Sequence, residues 1–512
     1  MNKKFIVLSA CLFAAVLVFT GCPRDRGTPR GETLIVAFAA NPAALDPVMT
    51  NDQPSSMIMR QIFETLINLD YNLEPSPGLA ERWEFENDAN GEPTRLRLFL
   101  RSGVKFHNGD ELTASDVKFS LERASVSPHV GFITDMIKSV EVIDAHEVLV
   151  LLEFPFVPFL HHLGHPATSI VSERVVRELG DDRHSQNPVG TGPFKFVNWV
   201  AGDRIQLARW DYHHDTPAHL PHLLIRIIVD AATRLIELET GGVDLIHGIQ
   251  PSDLTRVQND PNLQLLREMN LATNYIGFNV SRAPFNDVRV RHAIIHAIDL
   301  DAMNRAVYMG VGSTATGPIN SSVWASAADR LERFEFNPER SRQLLTEAGF
   351  PNGFSTTFVT NENPQRIDTG EILQNMLRQV GINVDVRIME WGGFMDLTAR
   401  GDHEMYMLGW VAVTGDPDYG LHPVFHSENF GAAGNRSFYH NPEVDRLLDA
   451  GRRETDPARR EQIYFEVQQI IRDDAPWIFQ QAGEEIFGAL ARVQGFRIHP
   501  AGHHRFWTVY FE

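Results

Sequence analysis

The chain has 512 residues, 43% of them hydrophobic and 22% charged, with a formal net charge of −20. So acidic a balance repels nucleic acid and anionic lipid headgroups and excludes both as electrostatic partners. Length and apolar content suffice for several cores and two to four domain-sized units.

At the start of the chain, Lys3 and Lys4 precede an apolar run from Phe5 to Phe19 broken only by Ser9. The run is about 15 residues, short of the roughly 20 that a spanning helix needs. A basic start, a short apolar stretch and small residues before a cut describe an export signal over 1–21. Val18-Phe19-Thr20-Gly21-Cys22 closes the run and resembles the bacterial lipobox, with Phe19 where Leu is common. Cleavage before Cys22 would leave its thiol for lipidation; the alternative is a cleaved secretory protein with a spare thiol. Losing Lys3 and Lys4 moves the charge from −20 to −22 and leaves Cys22 as the one cysteine, so no intrachain disulfide can form. Residues 22–32, rich in Pro, Gly and charge, read as a flexible tether. No later segment reaches membrane-spanning length, and the expected membrane contact is the lipid alone.

Thr33-Leu-Ile-Val-Ala-Phe38 is a continuous β-prone run of the kind found in buried strands. Ser55–Leu69 spaces Ile58, Ile62, Phe63, Leu66 and Ile67 for one helix. Thr94–Leu100 alternates Leu96, Leu98 and Leu100 with Arg95 and Arg97, the period of a half-exposed strand. Val140–Ile143 and Val148–Leu152 flank a turn and predict a hairpin. Strand Ile225–Val229, helix Ala231–Thr240, a Gly241-Gly242 stop and strand Val243–Ile246 follow. In the second half, Asn337–Gly349 carries a helix start and stop. Strand Ser355–Thr360, helix Ile367–Val380 and strand Ile382–Ile388 form a crossover unit, which requires a partly parallel sheet. Asn441–Gly451 and Pro457–Asp473 predict two consecutive helices. The expectation is an α/β protein of at least two lobes.

Several strings, in order, resemble the family-5 extracellular solute-binding proteins, the dipeptide, oligopeptide and nickel-binding components of ABC importers. They include Leu45-Asp46-Pro47, Leu79-Ala80-Glu81-Arg82-Trp83, Leu100–Gly109, Phe119–Arg123, Asn187–Phe194, Val288–Ile294, Asn441–Asp445 and Asp474-Ala475-Pro476-Trp477. Most have a plain folding role: Asn108-Gly109 turns the chain, Thr113 or Ser115 caps a helix, and Gly190-Thr191-Gly192-Pro193 is a tight turn before a strand. The resemblance implies a two-lobed type II periplasmic-binding-protein fold with mixed sheets flanked by helices. It implies lobe I at 33–270 with an extra subdomain at about 70–185, lobe II at 271–485, and a C-terminal segment, 486–512, returning to lobe I.

For the ligand, the resemblance directs attention to Trp391 and to Trp410 with the string Val413-Thr414-Gly415-Asp416-Pro417-Asp418-Tyr419. An exposed tryptophan offers a flat apolar contact and one donor, suited to a peptide; core packing is the alternative for each. Asn435 and Arg436 follow, the latter as a carboxylate fork or as half of an internal ion pair. Relatives that hold a free α-amino group have Asp three residues after the second tryptophan, where this chain has Val413. Asp416 or Asp418 is therefore expected to meet a cationic ligand end. The arginine that dipeptide-binding relatives carry near Thr360 is absent, with Arg366 a few residues on. Longer peptides, glutathione-like peptides and non-peptide solutes stay open.

No Gly-x-Ser-x-Gly elbow, phosphate loop or complete zinc-protease motif occurs. The histidines at 161, 162, 165, 213, 214, 219 and 222 read as solvated or capping groups, with no metal and no cofactor expected, although the nickel-binding branch leaves metal open. The reading is a monomeric substrate-binding lipoprotein, not an enzyme, whose partners are a peptide or similar solute and an ABC permease with cytoplasmic ATPases. It would work outside the cytoplasm, anchored to the bacterial membrane. A surface-anchored hydrolase or peptidase, a ligand-binding sensor and a nickel-chelate carrier are the alternatives.

Overall fold

The computed structural model describes residues 30–512; the signal segment, Cys22 and all but the end of the tether lie outside the described residues. A mixed sheet runs through both lobes. From one edge to the other its strands are Asn383–Met389, Ser355–Asn361, Met405–Val411, Leu263–Phe278, Trp477–Leu490, Leu245–His247, Thr33–Phe38, His222–Ile227, Arg204–Arg209 and Phe194–Val200.

Thr33–Phe38 is buried along its whole length because parallel neighbours flank it on both sides, which is why its sequence is apolar without alternation. The crossover over 355–389 is confirmed: Ser355–Asn361 and Asn383–Met389 pair in parallel, joined by the helix Pro364–Arg378 with Asn363 as its cap. A separate four-stranded antiparallel sheet, Ala80–Glu86, Arg95–Leu100, Glu147–Leu152 and Ile137–Asp144, forms the additional subdomain. Its middle strand Arg95–Leu100 alternates partly buried and buried residues, as its sequence period predicts.

Two strands are shared by the lobes. Leu263–Met269 pairs with Glu484–Leu490, next to Leu245–His247 of the first lobe. Thr273–Gly277 pairs with Trp477–Ala482, next to Met405–Val411 of the second. The register breaks between Met269 and Thr273, where the ladder passes from one lobe to the other. Beyond it, Val493, Ile498, Phe506 and Val509 pack into the same core as Leu34, Val36 and Phe38. Tyr275 and Trp477 stack with centroids 3.4 Å apart in the second-lobe core.

One expected element is shorter than its pattern. The helix is Gln53–Ile62, Phe63 turns to extended backbone, and Ile67–Leu69 is a strand. The apolar spacing runs on, but Gly192 donates its N–H to the carbonyl of Ile62 at 2.9 Å and closes the helix end from outside. A Cβ on Gly192 would stand 2.7 Å from that carbonyl carbon. Gly192→Ala should therefore destabilise the fold by about 1–3 kcal/mol, the usual range for overpacking. Urea unfolding followed by tryptophan fluorescence measures it, and an unchanged midpoint would show that the turn yields freely.

Candidate functional site

A cavity of about 370 Å³ lies between the lobes. Its first-lobe wall includes Phe38, Asp52, His165, Arg234, His247 and His503; its second-lobe wall includes Tyr275, Arg366, Trp391, Trp410, Val413, Tyr419 and Arg436. The lobes touch around it. Trp391 Nε1 donates to Asp52 Oδ2 at 3.2 Å, Asn51 Nδ2 to the carbonyl of Ala433 at 3.0 Å, and Gln365 Nε2 to Gln250 Oε1 at 2.8 Å. His165 Nε2 and Tyr419 Oη are 2.9 Å apart. An apolar cluster of Val130, Phe132, Ile133, Ala167 and Tyr419 continues this contact between the subdomain side and the second lobe.

Trp410 is half-buried, stacks on Tyr419 at 5.3 Å and donates its Nε1 to the Tyr419 carbonyl at 2.8 Å, leaving an indole face for the cavity. Arg436 is buried and gives Nη1 to the Met395 carbonyl (2.7 Å) and to Thr398 Oγ1 (2.8 Å). Arg366 gives Nη1 to Asn361 Oδ1 at 2.9 Å and lies 5.8 Å from the Trp391 ring centroid. Arg234 donates to the carbonyls of Ile228 and Val229. No carboxylate among the described residues pairs with any of the three. Burial lowers the pKa of each guanidinium, that of Arg234 to about 10.

The expected anionic group is placed elsewhere. Asp416 receives two hydrogen bonds from Arg460, both at 2.7 Å, and accepts from the N–H of Asp418 as the cap of helix Pro417–Phe425. Asp418 is buried between Arg452 at 3.3 Å and His162 at 3.4 Å. Desolvation by burial would raise its pKa, but the Arg452 charge and the contact with His162 together hold it well below the usual range. Neither lines the cavity, and nor do Thr414, Gly415 or Asn435. Gly415 packs on Leu73, and the Asn435 amide is spent on Tyr439 and the His426 carbonyl. These five are corrected from cleft contacts to supports of the strand that carries Trp410 and the helix that carries Tyr419; Val413 remains on the wall. The buried carboxylate at the cavity is instead Asp52, cap of helix Gln53–Ile62.

Asp52, Arg234 and His503 were not legible as cleft residues, because each comes from a segment distant in sequence. His503 is buried with no hydrogen-bond partner at either ring nitrogen. A lone histidine in Gly502-His503-His504 carries no signal of that. Elsewhere the resemblance strings do structural work: Arg123 binds Asp46 through both guanidinium arms at 2.8 and 2.9 Å.

The family model described as bacterial extracellular solute-binding proteins, family 5, matches residues 74–432. Heme-binding protein A of Haemophilus influenzae is 30% identical, covering 97% of this chain and 98% of that protein. The glutathione-binding protein of Escherichia coli K12 is also 30% identical, over 91% of this chain and 92% of that one. Among solved structures, an ABC transporter-associated periplasmic binding protein from Helicobacter pylori in complex with the peptide STSA superposes with a TM-score of 0.89. It is 29% identical and covers 94% of this chain and 98% of that chain. A dipeptide-binding protein from Pseudoalteromonas in complex with Met-Leu gives the same TM-score at 26% identity, over 94% and 100%. The fold is the type II two-lobed one that the strings implied.

Asp416→Asn should act on stability. Breaking a buried pair by removing one partner costs about 3–5 kcal/mol; part of the Asp416 side chain stays solvated, so the lower figure is expected. Chemical denaturation reads it, and an unchanged stability with weakened ligand binding would return Asp416 to the site. Acid should also destabilise the protein. Burial lowers His107 and His403 to about 4 and His499 to about 3, and holds His165, His422 and His503 well below the ordinary value. The unfolded chain then binds more protons, so stability is full above about pH 6.5 and falls as pH drops toward the folded values. His213 is raised and works in the opposite sense. Calorimetric Tm should thus decline between about pH 6.5 and pH 4, and a Tm that rises there would contradict the burial argument.

Proposed function

The chain belongs to the bacterial extracellular solute-binding proteins of family 5, and from that premise we propose that it captures small peptides carrying more than one carboxylate and delivers them to an ABC permease. Members of this family are binding components of importers and not enzymes. They work outside the cytoplasm, and no helix among the described residues is long and apolar enough to cross a membrane.

The observation that carries the ligand class is the set of cavity guanidiniums with only neutral partners, Arg366 and Arg436 on one wall and Arg234 on the other. A buried cation without a counter-charge is costly, and a carboxylate brought in by the ligand offsets that cost through charge-assisted, fork-shaped hydrogen bonds. Asp52 is the group for a ligand amine. Glu362 and Glu390, also on the wall, are exposed and remain hydrated at the rim. The volume is near the lower end of the roughly 300–1,000 Å³ range of small-molecule pockets, which favours a peptide of a few residues over a long one. His503 and Trp410 supply a neutral hydrogen-bonding ring and a flat apolar face. A glutathione-like peptide, with two carboxylates and one amine, has this complement, and two features agree with it: the similarity to a glutathione-binding protein and the size of the cavity.

On this reading the lobes divide near residues 270 and 485, and the register break between Met269 and Thr273 is the hinge. The anchor is the lipidated Cys22, motivated by Thr20-Gly21-Cys22 after a short apolar run; Cys22→Ser should abolish incorporation of a fatty-acid analogue in cells.

Titration calorimetry with glutathione tests the ligand class. Arg366→Gln should weaken binding ten- to hundredfold, from the roughly 1.5–3 kcal/mol of a hydrogen bond to a charged group. The diethyl ester should bind wild type correspondingly less well. Equal affinities for the acid and the ester would remove the carboxylate reading, and native mass spectrometry of the purified protein would then identify the cargo directly.

A further inference from the structure

Away from the cleft, one carboxylate and two imidazoles meet at the end of helix Gln53–Ile62. His214 Nε2 is 3.0 Å and His213 Nε2 is 3.3 Å from the same oxygen, Glu64 Oε1. The two rings face each other with centroids 4.7 Å apart, and one ligand atom from each of the three residues lies within 4.8 Å of the others. The side chains are 16%, 6% and 12% exposed for Glu64, His213 and His214, so the cluster is shielded without being sealed. None of the three lines the cavity between the lobes.

We propose that Glu64, His213 and His214 form a binding site for a divalent ion of the zinc and nickel class.

The argument rests on three features. First, donor type: two imidazole nitrogens and a carboxylate oxygen suit zinc, nickel or cobalt, whereas calcium and magnesium prefer oxygen alone. Second, distance: ligands about 2.0–2.2 Å from one ion, at angles between octahedral and tetrahedral, stand roughly 2.9–3.5 Å from each other. The two separations at Glu64 Oε1 fall inside that interval. Third, satisfaction. Both rings crowd one oxygen while Glu64 Oε2 is buried without a hydrogen-bond partner. A single carboxylate neutralises one imidazolium, so a second proton would leave two cationic rings in contact. An ion on the open side of Oε1 takes both nitrogen lone pairs and brings Oε2 within reach. His107 does not complete the set: its Nε2 faces the Gly192 carbonyl and its Nδ1 accepts from the Gly190 N–H. The fourth position is left to water or an outside ligand.

The backbone holds the cluster in place. The Glu64 carbonyl accepts from Ile170 N–H, and His213 N–H donates to the Trp210 carbonyl. An ion here ties the loop after strand Arg204–Arg209 to the helix whose other end carries Asp52. In a chain with no disulfide available outside residues 1–22, that is a cross-link between two first-lobe segments.

Protein dialysed against EDTA is titrated with zinc and nickel chloride at about pH 7.5, where neutral imidazole ligates. The expected result is one ion bound per chain, at least a hundredfold weaker in His214→Gln and in His213→Gln. His426→Gln, in a second grouping formed by His422, His426 and Asp449, should leave it unchanged. Cobalt bound to the wild-type protein should show the visible absorption of a nitrogen- and oxygen-ligated ion, a readout independent of how the variants fold. Glutathione affinity in His214→Gln should equal that of wild type, which separates this site from the cleft. Absence of any binding tighter than millimolar, or stoichiometric binding undiminished in both the His213 and His214 variants, would overturn the proposal.

Discussion

Two strands, Leu263–Phe278 and Trp477–Leu490, hold the molecule in register from one lobe to the other, and the cleft exists because of how they do it. Each is paired on the first-lobe side and again on the second, with the ladder interrupted in between. A continuous antiparallel ladder is stiff along its length, so bending concentrates where pairing fails. The interruption lies between Met269 and Thr273 on one strand, opposite Glu484 and Ala482 on the other. On the proposed hinge reading, walls carried on either side of that point would approach or separate while the pairs within each lobe stay intact. A cavity between two such bodies is lined by residues from remote stretches of chain, and this one draws on segments from Phe38 to His503.

Electrostatics divides the buried charges into two kinds. Asp46 with Arg123 and Asp416 with Arg460 are hydrogen-bonded ion pairs, Asp418 with Arg452 is an ion pair without a hydrogen bond, and each is deep enough that losing one partner would strand the other. Such pairs set positions: Asp416 caps the helix that presents Tyr419, and Arg452 also reaches Asp135 at 2.6 Å, joining second lobe to subdomain. Arg366 and Arg436 are different, since their hydrogen bonds fix where they point without cancelling their charge. A protein that stabilises these cations only when a ligand arrives couples binding to anion recognition.

Much of the fold was legible because local chemistry and tertiary environment agreed. The continuously β-prone Thr33–Phe38, the alternation in Arg95–Leu100 and the helices starting at Pro338 and Pro442 are elements whose pattern states their burial. The helix ending at Ile62 was read too long because its terminator, Gly192, sits far away in sequence. In the site, Trp410, Tyr419 and Arg436 follow from strings at and after the second tryptophan, Trp391 from the string around the first and Arg366 from the segment after Thr360, and all five line the cavity. Asp416 and Asp418 were misplaced for a physical reason. A carboxylate near an expected cleft looks available in sequence, and nothing local shows that Arg460 and Arg452, on later helices, take it first. Asp52 and His503 were missed for the complementary reason: what marks them is burial beside a cavity.

Histidine extends the same distinction between satisfied and unsatisfied groups. His165 faces Tyr419 and His403 meets the Arg436 carbonyl, and burial keeps these two rings neutral hydrogen-bonding parts of the framework. Burial is the largest influence on many of the histidines and favours the uncharged form at neutral pH. Other ring nitrogens, such as His162 Nε2 and His184 Nε2, are buried without a hydrogen-bond partner, and two places stand beside a cavity or a ligating cluster. At His503 both ring nitrogens lack a partner at the cavity wall, and at Glu64 two imidazoles share one oxygen while its neighbour has none. Buried polar atoms without partners are rare because each costs about 1–3 kcal/mol. Beside the cavity and in the ligating cluster, the open groups are a hydrogen-bonding ring at His503 and a carboxylate oxygen with two imidazole nitrogens at Glu64, which is the chemistry the proposed solute and ion would meet.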